Sequence, residues 1–154
     1  MKTIYFDMDG TIADLYDVPG WLASIKAEDI SPFLIAKPMC DTWKLSLILR
    51  RLQLKGYKIG VITWTPKDAT PEYAYRVAAA KKHWLRENLL ICIDDLKILP
   101  YGTNKKNGVD RASILFDDEE HNRSTWGPGA YEPTEIMNRV RVSHLSYRTS
   151  SASS

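Results

Sequence analysis

Thr3-Ile4-Tyr5-Phe6-Asp7-Met8-Asp9-Gly10-Thr11 is the stretch on which the fold turns. Its first four residues are β-branched or aromatic, as in a strand buried within a sheet, and Gly10 breaks the run with a turn. A first strand is therefore expected over Thr3 to Asp9. Asp7 and Asp9 stand two apart at its end, and a period of two turns both carboxylates to one side, roughly 6–7 Å apart if the chain stays extended. Two further runs have the same form. Lys58 to Trp64 (KIGVITW) leads into Thr65-Pro66, and Ala112 to Phe116 (ASILF) leads into Asp117-Asp118-Glu119-Glu120. Between Leu89 and Pro100 the patches LLICI and LKIL flank Asp94-Asp95; the second patch is read as a strand and the acidic pair as a turn.

Helices are expected between these strands. After Asp41 or Thr42 as N-cap, Leu45, Ile48, Leu49 and Leu52 recur at helical spacing until Gly56. Pro71, with Thr70 as cap, opens a second helix that ends near Asn88 and carries Ala74, Val77, Ala78, Trp84 and Leu85 along one side. Lys81-Lys82 is read as its solvated face. A short helix is expected over Glu135 to Val140, after a loop WGPGAYEP. Strands alternating with helices predict an open, mostly parallel α/β sheet, which binds ligands beyond the carboxyl ends of its strands.

One departure from that alternation lies at Ala13 to Cys40. Pro19-Gly20, Pro32 and Pro38 make this a loop-rich insertion with a helical stretch only around Trp21 to Ala27. One domain is expected over residues 1–145, with a frayed polar tail from Ser143 and disorder over 146–154.

Composition narrows the class. The chain of 154 residues is 44% hydrophobic and 26% charged, outside the range of disordered proteins. Its 21 basic and 19 acidic residues leave +2, too little for nucleic-acid binding driven by bulk charge. Cys40 and Cys92 lack CxxC spacing, which excludes a cysteine zinc site. No apolar run nears the ~18–20 residues of a membrane span, and Asp7 and Asp9 interrupt what would be a leader. A cytoplasmic protein is expected.

The opening motif YFDMDGT resembles that of the haloacid dehalogenase (HAD) superfamily, hhhDxDGT. The later signatures of that family have counterparts in order: VIT at Val61 to Thr63, Lys105 or Lys106, and LFDD at Leu115 to Asp118. The resemblance implies a Rossmann-like, three-layer sandwich in which the insertion after the first strand is a cap. It also implies a phosphatase: Asp7 attacks phosphorus and forms an aspartyl-phosphate, while Asp9 acts as acid and then base. Thr63 and Lys105 would hold phosphoryl oxygens, and Asp7, Asp9 (through its carbonyl), Asp117 and Asp118 would hold a metal. Four carboxylates at one sheet edge repel unless a cation joins them, and an all-oxygen set suits Mg²⁺.

The small cap and Thr63-x-x-Pro66 are similar to the 5'-nucleotidase and deoxyribonucleotidase branch, although Glu119 follows the acidic pair where an arginine is usual. A nucleotide is thus the expected substrate. Trp64 and Trp21, with Tyr16 and Phe33, would stack its base, and Thr65 and Lys106, the rivals of Thr63 and Lys105, are placed at the substrate. A polynucleotide end phosphatase is the alternative enzyme, and a non-catalytic HAD-like scaffold the alternative of another class. His83, His121 and His144 lack ligand spacing, and Arg123 is read as a surface residue.

Overall fold

The computed structural model describes residues 2–141; Met1 and the tail expected beyond Ser143 lie outside them. Five parallel strands form the central sheet: β1 (Thr3–Phe6), β4 (Lys58–Trp64), β5 (Asp95–Leu99), β6 (Ile114–Phe116) and β7 (Ala130–Tyr131), in the order β5-β4-β1-β6-β7. The expected α/β class with a parallel sheet is observed. The chain runs outward from β1 through β4 to β5, then crosses to β6 on the other side. That reversal opens a crevice at the carboxyl end of β1, where such sheets bind ligands.

The expected first strand is too long. Pairing stops at Phe6 because the Met8 carbonyl accepts the amides of Thr11, Ile12 and Ala13, which coils the chain into a turn. The last long strand likewise covers Ile114–Phe116 rather than Ala112 to Phe116. Of the two patches near Asp94-Asp95, LKIL does enter the sheet. Asp95 opens β5 and accepts a 2.5 Å hydrogen bond from Tyr5 Oη, so it belongs to the strand rather than a turn.

The helices α3 (Thr42–Leu54) and α4 (Pro71–Asn88) begin on the caps Asp41 and Thr70, whose side chains accept the amides of Lys44 and Tyr73. Leu45, Leu49 and Leu52 of α3, Trp84 and Leu85 of α4, and Ile136 and Val140 of a helix over 136–141 bury one sheet face with Ile4, Phe6, Ile59 and Val61. The other face carries a smaller cluster, Tyr5, Ile62, Leu115 and Trp126, covered by α5 (Glu120–Trp126) and the chain around Val109. The helical layers of the sandwich are therefore unequal. WGPGAYEP, expected to be a loop, contains β7. This strand has only two residues, and its flanking glycines and proline hide it.

The insertion is pinched off by a small antiparallel ribbon, β2 (Ala13–Asp14) against β3 (Lys37–Pro38). Inside it are α1 (Trp21–Lys26) and a second helix, α2 (Ser31–Ile35), where only one was expected. Pro32 looked like a breaker, yet it sits in the first turn of α2, where its missing N–H has no helical acceptor to lose. Leu15 and Phe33 of the insertion bury against Tyr73, Val77 and Ala80, so α4 packs on the insertion and on the sheet at once. Among the described residues, no helix is long and apolar enough to cross a membrane.

Candidate functional site

Three neighbouring strands deliver the polar residues to one place. The Asp7 amide donates to the Phe116 carbonyl at 2.9 Å and the Asp117 amide to the Tyr131 carbonyl at 3.1 Å, so both aspartates stand at the carboxyl ends of adjacent strands. Thr63 and Trp64 end β4 on the other side of β1. Gly10 makes the turn tight enough. Its φ of 81° is in the left-handed region, and a Cβ there would collide with the Asp118 carboxylate and the Tyr16 ring.

Lys105 is buried between the two strand ends. Its ammonium donates to Asp7 Oδ1 at 2.9 Å and to Asp117 Oδ2 at 2.7 Å. Thr11 Oγ1 donates to Asp7 Oδ2 at 3.1 Å and accepts from the Asp118 amide at 3.2 Å, tying the first motif to the last. Asp117, fully buried, also accepts from the Glu119 amide at 2.9 Å and Asn122 Nδ2 at 3.2 Å. Burial pushes the Asp7 carboxyl up, and Lys105 pulls it back. Burial pulls the Lys105 ammonium down, but the charges of Asp7 and Asp117 outweigh it and hold it above its usual value.

Oxygen atoms of Asp7, Asp117 and Asp118 lie within 4.8 Å of one another. A hard dication with ligands at about 2.1 Å separates its donors by roughly 3 to 4 Å, so small side-chain movements would close this trio around one. The residues fit such an ion chemically as well. Its donors are all carboxylate oxygens, and burial and then the charge of Asp7 push Asp118 up to about 8. The Asp9 carboxylate is not part of the trio.

This has a measurable consequence. A folded-state value near 8 against about 4 in the unfolded chain means that the native protein holds the extra proton. The stability so conferred is complete below about pH 4 and is lost as pH rises through about 8. The metal-free protein should therefore melt at lower temperature at about pH 8.5 than at about pH 5.5, and Mg²⁺ should raise Tm more at the higher pH because binding must displace that proton. A Mg²⁺-induced rise no larger at the higher pH would count against the trio as the ligand set.

Asp9 has a different partner. Lys81, expected on a solvated face, is 1% exposed. Its ammonium donates to Asp9 Oδ2 at 2.8 Å, Thr63 Oγ1 at 2.6 Å and the Trp64 carbonyl at 2.8 Å. The expectation fails because Lys81 lies four residues after Val77 and four before Leu85, on the buried stripe of α4; Lys82 is the exposed one. That spacing was the available signal. Burial pushes the Asp9 carboxyl up, against the opposing pull of Lys81.

Above these groups lies a cavity of about 620 Å³ with Asp7, Asp9, Thr63 and Lys105 among its lining residues. Trp64, Thr65, Trp21, Tyr16 and Phe33 also line it. Trp21 meets Tyr16 edge to face at 4.9 Å, and Trp64 meets Tyr101 likewise at 5.1 Å. Trp64 Nε1 donates to the Thr103 carbonyl at 2.9 Å, and the Lys105 ammonium stands 5.1 Å from its ring. Lys106 is elsewhere, its ammonium 4.4 Å from the Trp126 ring. His121 is exposed, and Arg123 is occupied by the Asp117 carbonyl at 3.0 Å and by Glu132 at 3.6 Å. Lys81, Asn122, Thr11 and Tyr101 belong to the site although sequence reading did not assign them to it. Comparison of the chain with protein-family models, curated proteins and solved structures finds no match.

Proposed function

We propose that this protein is a Mg²⁺-dependent phosphomonoester hydrolase of the HAD superfamily, working through an aspartyl-phosphate on Asp7, with a nucleoside monophosphate as substrate. The observation that carries this reading is the setting of Asp7. It is a buried carboxylate at the end of the central strand, bonded to Lys105, beside Asp117 and Asp118, at the floor of a cavity large enough for a mononucleotide.

In this reading a carboxylate oxygen of Asp7 bonds to phosphorus as the ester P–O bond breaks, and Asp9 gives its proton to the departing alcohol oxygen. Water then gives a proton to Asp9 while its oxygen bonds to phosphorus, the bond to Asp7 breaks, and phosphate leaves. Lys105 and the Thr63 hydroxyl supply donors to phosphoryl oxygens on which charge develops. Asp7, Asp117 and Asp118 would hold Mg²⁺, which supplies charge neutralisation for the phosphoryl group. The aromatic lining, Trp21 and Tyr16 on the insertion and Trp64 and Tyr101 beyond the ends of β4 and β5, suits a planar base.

Phosphate release from nucleoside 5'- and 3'-monophosphates, a 3'-phosphorylated oligonucleotide and an aryl phosphate, with and without Mg²⁺, tests the reading. Mg²⁺-dependent release from mononucleotides is expected. Preference for the oligonucleotide would move the substrate to polynucleotide ends, and no release from any ester would overturn the phosphatase reading in favour of a scaffold.

Trp64→Ala should raise KM for a mononucleotide by about 10- to 100-fold, the worth of one stacking contact, and for a small aryl phosphate far less. Equal losses on the two substrates would mean that Trp64 serves to place Lys105 rather than to bind a base.

A further inference from the structure

We infer that Lys81 is a positioning residue for the reaction, holding Asp9 by one oxygen so that the other, Oδ1, is the atom that passes the proton. The inference rests on the phosphatase reading above and adds a residue to it.

The argument begins with donor count. An ammonium has three N–H groups and no acceptor, and those of Lys81 meet Asp9 Oδ2, Thr63 Oγ1 and the Trp64 carbonyl, all at 2.6 to 2.8 Å. None is left for a substrate. With the side chain 1% exposed and absent from the cavity lining, Lys81 acts only through the groups that it holds. Both of its side-chain partners do line the cavity.

What it does to each partner follows from hydrogen-bond polarity. Asp9 Oδ2 receives an ammonium donor and is the poorer place for a proton, whereas Oδ1 has no hydrogen-bond partner among the described residues. Transfer to the alcohol oxygen, and acceptance of the proton from water afterwards, therefore fall to Oδ1. Thr63 Oγ1 accepts from Lys81, so its own hydrogen is free to donate to a phosphoryl oxygen. One buried cation thus sets the acid/base and a phosphate donor in a fixed relation. Lys81 is itself held by α4 and stands 5.4 Å from the Phe33 ring of the insertion.

Lys105 has a different task. It touches Asp7 and Asp117 and lines the cavity, where a phosphoryl oxygen can reach it.

The test compares Lys81→Met, Asp9→Asn, the double variant and Thr63→Val with wild type, at saturating Mg²⁺. Single-turnover release of a nucleoside, a leaving group that needs a proton, is set against release of 4-nitrophenol, which needs none. Lys81→Met should slow nucleoside release by about 100-fold or more and 4-nitrophenol release by less than about 10-fold, in keeping with the usual size of general acid catalysis. The double variant should be slower than Asp9→Asn by no more than the factor that Thr63→Val costs, because Lys81 acts only through Asp9 and Thr63. Equal slowing of both leaving groups, or multiplicative effects in the double variant, would overturn the inference by making Lys81 structural only.

A readout independent of turnover is the side-chain ¹⁵N signal of the Lys81 ammonium, assigned by its loss in Lys81→Met. It should be slow to exchange in wild type and in Thr63→Val, and fast in an Asp9→Ala variant. Fast exchange in wild type overturns the pairing itself. Slow exchange in a wild type that cleaves no ester keeps the pairing and rejects the phosphatase reading, together with the catalytic role inferred from it. Should Lys81→Met fail to fold, Lys81→Gln, which is neutral and one bond shorter and so cannot span Asp9, Thr63 and the Trp64 carbonyl, takes its place in the comparison, with the same expected split between leaving groups.

Discussion

Asp7→Asn is expected to lower phosphate release by a factor of at least about 10⁴ at saturating Mg²⁺, since removal of a covalent nucleophile leaves only binding and electrostatic stabilisation. The variant should nevertheless fold. An asparagine has the shape of Asp7, its carbonyl can accept from Lys105, and its amide can face Thr11 Oγ1, which accepts as readily as it donates. Burial penalises the Asp7 carboxylate, and its charge adds to the burden on Asp118. Making position 7 neutral should therefore leave the metal-free Tm near pH 8 unchanged or higher, with Asp118 titrating lower than in wild type. A variant that unfolds would assign Asp7 a structural task. One that keeps more than about 1% of the activity would rule out the covalent mechanism.

The second large effect distinguishes adjacent lysines. Lys105→Ala removes the ammonium shared by two buried carboxylates, and breaking a buried pair by deleting one partner costs about 3–5 kcal/mol. The penalty should be greatest near pH 8 and smaller near pH 5.5, because Asp7, already held above the usual carboxylate range, can take a proton instead. Lys106→Ala gives up only an ammonium over the Trp126 ring, about 0.5–1 kcal/mol. Denaturant unfolding of both variants at the two pH values checks this. Activity should follow the same ranking, and the reverse order would mean that the loop presents Lys106 to the site.

How far the sequence could be read depended on whether the signal was local. The caps at Asp41 and Thr70, the apolar stripes of α3 and α4 and the run Lys58–Trp64 each sit within one element, and the structure places them where local chemistry predicts. The carboxylates of Asp7, Asp117 and Asp118 were legible because they end strands, and parallel sheets gather such ends. Lys105 is set apart from Lys106 in the sequence only through resemblance, and its contacts depend on the sheet crossover. Lys81 was misread although the helical period marked it, because lysine side chains usually face solvent. β7 and α2 were hidden by proline and glycine, whose helix- and strand-breaking reputation does not hold in a first helical turn or at a sheet edge.

The double allegiance of α4 limits how this scaffold can be re-engineered. In many folds an insertion in a loop can be exchanged for another without touching the core, like a part with its own socket. Here the socket is a structural helix: excising residues 15–36 would bare Tyr73, Val77 and Ala80, the last of them next to the lysine that grips Asp9. A graft would have to bring its own counterparts of Leu15 and Phe33, so on the phosphatase reading a change of insertion is also a change beneath the acid/base.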